Sequence, residues 1–186
     1  MNMDSKLGTE FGSGLIARPS VGLPVGMSTH YRVECHDAEG NLKWVEEFDN
    51  LVVTTGLNEV LDKTFKGSTY TAAWYVGLTD GTPTVVAGDT MASHGGWTEV
   101  TAYDEANRQT LTLGTVSAGS VSNSASKAVF TISGTTTVGG SFVTTNNTKG
   151  GSTGVLYGAG AFTEGDRSVV DNDTLTVTVT LTAAAS

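Results

Sequence analysis

Cysteine is almost absent. Cys35 is the only one in 186 residues, so neither an internal disulfide nor a Cys-rich zinc site is available. Proline is scarce at 3 residues, and charged residues make up only 16% of the chain. Cations are scarcer still: 10 Lys and Arg stand against 19 Asp and Glu, for a net charge of -9. Nucleic-acid binding needs cations to replace phosphate counterions, so no direct nucleic-acid partner is expected. No apolar run approaches the roughly 20 residues that span a bilayer, so no membrane partner is expected either. Residues 1–14 are polar and Gly-rich and lack an apolar core behind a basic start, the pattern of a Sec-type signal peptide.

What is present points to strands. The chain holds 24 glycines and about 30 threonines, with many Val and aromatic residues, a composition suited to pleated, half-buried surfaces joined by turns. The length suits one domain, or one domain and an arm.

Residues 1–27 show neither helical nor strand periodicity and read as an extended N-terminal arm. The arm still carries apolar points: Phe11, Leu15, Ile16, Val21, Leu23 and Val25. These are the candidate protein-interaction residues. Such points can order against another subunit, with contacts offsetting the ordering entropy, or pack on the arm's own domain.

Residues 28–186 read as an all-β domain, a β-sandwich or jelly roll with one short helix. Tyr31, Val33 and Cys35 alternate with Arg32, Glu34 and His36, and a hairpin turns through residues 37–41. In residues 54–66, Leu57, Val60, Leu61 and Phe65 recur at helical spacing, with Thr54 or Thr55 as cap and Gly67 as stop. That face is expected to plug one side or end of the core, so Leu61→Asp is expected to cost several kcal/mol. Further strands are expected at 73–78, 127–133, 136–145, 153–162 and 173–182, with a hairpin of 97–103 against 109–116 and a long loop at 80–96. The last strand is the clearest: Leu175, Val177, Val179 and Leu181 alternate with Thr174, Thr176, Thr178, Thr180 and Thr182, one face apolar and the other hydroxylic. Charge thins along the chain, with only Lys127, Lys149 and Arg167 as cations after Leu111.

The search for reactive groups ends without a constellation. His94 adjoins Ser93 in the long loop, but a triad is made by spatial roles and not adjacency. Cys35 and His36 are strand neighbours and point to opposite faces, and His30 is six residues from His36. Asp171 and Asp173 offer oxygens of the kind calcium takes, and equally suit an Asx-type turn. Glu46, Glu47 and Asp49, and Glu99, Asp104 and Glu105, are acid clusters; paired carboxylates serve glycosidases and are also ordinary on an acidic surface. Trp44, Trp74 and Trp97 suit either a sugar-stacking platform or core anchors. Gly139-Gly140 and Gly150-Gly151 lack the Lys-Ser/Thr and helix of a phosphate loop. No catalytic residue, cofactor or metal is expected, and an enzyme is not expected.

A set of phrases carries a resemblance: Phe48-Asp49-Asn50-Leu51-Val52-Val53, Gly56-Leu57-Asn58, Thr71-Ala72-Ala73-Trp74-Tyr75-Val76-Gly77-Leu78, His94-Gly95-Gly96-Trp97 and Tyr103-Asp104-Glu105-Ala106. Ser122-Asn123-Ser124-Ala125, Thr148-Lys149-Gly150-Gly151 and Leu156-Tyr157-Gly158-Ala159 follow. This stretch resembles virion structural proteins of tailed bacteriophages, among them capsid decoration (cement) proteins. The resemblance implies a role on the capsid surface after assembly in the host cytoplasm, with the major capsid protein and further copies of itself as partners. It implies no catalytic residues. A tail-associated or adaptor protein and a carbohydrate-binding fibre module are the alternatives.

Overall fold

The computed structural model of the protein describes residues 25–69 and 73–185. In chain order the elements are β1 Val25–His36, β2 Leu42–Asp49, β3 Leu51–Val52, α1 Thr54–Thr64, β4 Tyr75–Asp80, β5 Thr98–Glu99 and β6 Gln109–Thr110. There follow β7 Ser120–Ser122, β8 Ala128–Thr131, β9 Thr136–Val138, β10 Gly140–Thr144, β11 Leu156–Ala161, β12 Arg167–Val169 and β13 Thr174–Ala185.

The all-β reading holds, with one helix and antiparallel sheets packed as a sandwich. One sheet runs β2-β1-β13, with β7 and β8 both on the far edge of β13. The other runs β3-β11-β10-β4, with β5 and β6 both on the outer edge of β4. β9 and β12 form a separate ribbon.

The long β1–β13 pair shows how sequence alternation becomes a core. Tyr31, Val33 and Cys35 face Val179, Val177 and Leu175 across the register, and all six are fully buried. Each pair takes apolar surface from water on the inner face. Tyr31 stacks on Phe48 at 5.0 Å between ring centroids, and Phe48 meets Phe162 at 5.4 Å, so the aromatics bridge the first sheet to the end of β11. Burial pushes the Tyr31 hydroxyl far above its ordinary range.

The outer face of the same pair is ionic and hydroxylic. Arg32 pairs with both Glu34 and Glu47, and Lys127 reaches Glu34 at 2.5 Å. The hydrogen bonds from Lys127 and Arg32 hold the Glu34 carboxyl down at about 2, against an ordinary 4.5. A depressed folded-state value means that the carboxylate stabilises the fold above pH 4.5, and that this stabilisation is lost as pH falls toward 2. Glu34→Gln is therefore expected to flatten the acid side of the stability curve between those values while changing little below the lower one. Urea midpoints measured across that range check it; an unchanged slope overturns it.

Four expectations need correction. The segments 97–103 and 109–116 do not pair with each other: β5 pairs with Thr79 and Asp80, and β6 with Tyr75 and Val76. The open edge of β4 can satisfy both segments' backbone groups, and the chain between them dips into the core at Tyr103, which bridges to Ile132. The expected strand 136–145 is broken at Gly139, where a Cβ would lie 1.9 Å from the carbonyl oxygen of Gly81. Its two halves join different partners, β12 and β4–β11. Neither Thr54 nor Thr55 caps α1: the N-cap is Val53, without a side-chain cap, and the Thr55 hydroxyl donates to Leu156 O at 2.9 Å. β1 also begins at Val25, three residues before the strand expected from Ser28. Among the described residues, no helix is long and apolar enough to cross a membrane.

Candidate functional site

Helix α1 follows directly on β3 and lies against β11. Val53 N donates to Tyr157 O at 3.0 Å, and Thr54 N to Ala87 O at 2.9 Å, so the helix start is tied to both the sheet and the long loop. Gly56 is the buried residue of the helix. A Cβ there would sit 2.3 Å from Tyr157 O, so the missing side chain is what lets the helix backbone rest on β11. Contact at Gly56 sets the helix's rotation. The residues on its turn-repeat, Glu59, Val60 and Lys63, become half-buried.

That rotation overturns the expectation for the apolar face. Of its four residues only Val60 packs on the core. Leu57 is 40% exposed, Leu61 55% and Phe65 81%. A step of about 100° separates Gly56 from Leu57 on the helical wheel, so seating Gly56 swings the Leu57–Leu61–Phe65 row to the flank. The row is not left on open ground. With Val60 and Met27 of β1 it lines a cleft of about 370 Å³. A contiguous apolar surface of this kind marks an interaction site more often than singly scattered residues do.

A second concavity, of about 300 Å³, lies in the long loop. It is lined by Met91, His94, Trp97, Thr98, Glu99, Gly150, Gly151 and Ser152. Its frame is a buried ion pair. Arg108, fully buried, donates to both Glu99 oxygens at 2.9 and 2.7 Å, to Asn146 O at 2.8 Å and to Gly151 O at 2.6 Å. Gly150 N adds a further bond to Glu99 at 2.9 Å. The guanidinium also lies 5.2 Å from the centre of the Phe142 ring. The bidentate geometry is the strong form of this pairing, and it clamps the 146–151 turn to β5.

His94 stacks on Trp97 at 3.8 Å, and its Nδ1 donates to Trp97 O at 3.0 Å. The imidazole is thus a brace for its own loop, as a turn residue should be. Trp97 is buried between His94 and Phe142, which leaves little ring face for a sugar. The three tryptophans do not meet: Trp44 packs on Phe162, and Trp74 on Tyr157.

The other candidates scatter likewise. Glu46 turns inward and is held by Arg167 at 2.5 Å, Glu47 turns outward to Arg32, and exposed Asp49 meets His30 at 3.0 Å. Glu105 accepts from Thr131 N at 3.1 Å, far in role from the Glu99 clamp. Asp173 accepts from Lys43 at 2.5 Å and from Val170 N at 2.9 Å. Asn172 beside it has φ +67°. With Asp173 N donating to Val170 O at 3.0 Å, this is a backbone β-turn over residues 170–173 and not the expected Asx-type turn. Cys35 is buried, and its thiol is pushed up to about 12 by desolvation. Among the described residues, no group of three His, Cys, Asp or Glu is placed to hold a metal ion.

No family model matches the chain, and no curated protein matches it.

Of the arm residues proposed for protein interaction, Phe11, Leu15, Ile16, Val21 and Leu23 lie outside the described residues. Val25 is the first residue of β1 and pairs with Ala185. Met27 and Arg108 were missed as contributors to concave surfaces. Met27 had a visible signal, since it continues the every-second-residue row of Tyr31, Val33 and Cys35. Arg108 had none, because its partner Glu99 is reached only through the fold.

Proposed function

We propose that this protein is a virion structural protein of a tailed bacteriophage that binds the capsid surface as a decoration (cement) protein and stabilises the shell. The observation that carries the reading is the exposed apolar flank of α1, gathered beside the start of β1. Such surface suits docking onto other protein copies, and many weak contacts acting together give strong attachment. Binding only the assembled shell stabilises it by mass action. The resemblance supports the same reading: its phrases include Gly56, the residue that seats α1, and Gly158, where a Cβ would lie 2.6 Å from Leu51 O.

Its partners on this reading are the major capsid protein and further copies of itself. The test is the copy number per particle, by gel densitometry of purified virions and of tailless heads. A decoration protein is expected in stoichiometric ratio to the capsid protein and present on tailless heads. A few copies confined to tailed particles make it a tail or adaptor component instead, and absence from particles overturns both.

A further inference from the structure

The flank of α1 is shaped to receive a copy of itself. Leu57, Leu61 and Phe65 stand one helical turn apart and form a ridge. Phe65, at the C-cap, is 81% exposed, the most exposed large apolar side chain among the described residues. A concavity lies on each side of the ridge. On one side is the cleft of about 370 Å³ walled by Met27 and Val60. On the other is an open hollow of about 470 Å³ rimmed by Asn58, Asp62 and Lys66. Ridges at this four-residue spacing pack into the grooves of a second helix, and two such helices interdigitating is the commonest helix pair. A ridge flanked by its own grooves is complementary to itself. A two-fold axis lets each copy supply both knob and hole, and the contact closes at two copies.

Charge favours the same partner and sets the direction of the helices. The chain carries a net charge of -9, so two copies repel over much of their surfaces. Residues 54–66 carry none of that excess: Glu59 and Asp62 are matched by Lys63 and Lys66, and ion pairs of 3.2 to 3.8 Å join them. Beside the ridge, Asp62 precedes Lys66 by one turn. Parallel helices about a two-fold axis would set Asp62 against Asp62 and Lys66 against Lys66. Antiparallel helices reverse the order, so Asp62 of each copy meets Lys66 of the other. The register that does this also brings Phe65 of each copy to Leu61 of the other, because the two pairings share a midpoint to within one residue.

We propose that two copies of the chain pair through α1 about a two-fold axis, with the helices antiparallel, Phe65 of each copy seated on Leu61 of the other, and Asp62 facing Lys66. The proposal rests on reading this flank as a docking surface for further copies, and not on the phage particle. The 11 residues of α1 make a rod about 16 Å long. That is too short to cover the roughly 800 Å² per partner of a standard interface, so the pairing is reversible and depends on concentration.

The test is sedimentation equilibrium of the full-length protein from micromolar to submillimolar concentration. The expected mass rises from one chain toward two and no further. Leu61→Ser with Phe65→Ser is expected to weaken the pairing at least tenfold with the Tm nearly unchanged, since both side chains are exposed. A single-chain mass at every concentration overturns the proposal, as does a pair that survives this double change. The register has its own test. Asp62→Lys and Lys66→Asp each set like charges together, so each variant alone is expected to remain a single chain where the parent protein pairs. An equimolar mixture of the two variants is expected to pair one to one, because opposite charges then meet again. A mixture that stays unpaired overturns the proposal. Absence of the protein from particles overturns the phage reading and leaves this pair standing, whereas a single-chain mass overturns the pair and leaves copy number to decide the phage reading.

Discussion

Arg108→Ala is expected to destabilise the protein by about 3–5 kcal/mol, the usual cost of removing one partner of a buried pair. The substitution leaves Glu99 with 7% of its side chain exposed and no cation beside it, and it strips a donor from Asn146 O and Gly151 O. The turn at 146–151 then keeps only the Gly150 N bond to Glu99 of β5, so the loop pocket loses most of its frame. Much of this cost is an unpaired charge and not the value of the pair itself. Arg108→Met combined with Glu99→Met is accordingly expected to recover more than half of the loss, because an apolar pair of similar volume carries no desolvation penalty. Urea unfolding monitored by tryptophan fluorescence measures both. A midpoint for Arg108→Ala equal to that of the parent protein shows that the clamp contributes nothing.

The second large effect reverses a propensity rule. In an isolated helix, Gly→Ala stabilises by about 1 kcal/mol. At Gly56 the added methyl would meet three backbone atoms of Tyr157, at 2.3, 2.7 and 2.8 Å. Backbone cannot rotate away as a flexible side chain can, so α1 must lift from β11 or β11 must shift. Overpacking of this kind costs about 1–3 kcal/mol or more, which outweighs the propensity gain. Gly56→Ala is therefore expected to lower the Tm by several degrees, at about 2–4 °C per kcal/mol for a chain of this size. Leu61→Asp, on the exposed flank, is expected to lower it far less. Scanning calorimetry of the two variants decides the rotation of the helix. If Leu61→Asp proves the more damaging, the apolar row faces the core after all.

Legibility followed the range of the interactions. The β1 and β13 alternation was readable because period-2 burial is a local property: the residues that alternate are the ones that pair. The turn at residues 37–41 was readable for the same reason. Two-residue strands such as β3, β5 and β6 were not, since nothing about Thr98-Glu99 or Gln109-Thr110 distinguishes them from loop until the free edge of β4 lies beside them.

The candidate site divides the same way. Leu57, Val60, Leu61 and Phe65 announce an apolar helix face by spacing alone, and the apolar points of the arm are plain in the sequence. Which face of α1 meets the sheet is another matter. A hydrophobic stripe states that a helix has something to bury, but the partner's shape chooses the contact, and here a glycine that admits a carbonyl outranked three large side chains.

Composition and alternation alone determined that this chain is an antiparallel β protein with one helix, a polar outer face and little cation to offer a nucleic acid. They determine it because strand and helix periods are written within a few neighbouring residues. Only the tertiary structure decided that Glu99 and Arg108 lock together, that β5 and β6 share one strand edge, and that the helix keeps its leucines at the surface. Those outcomes depend on groups far apart in the chain coming within a few ångströms, where close packing and the cost of an unpaired buried charge select one arrangement.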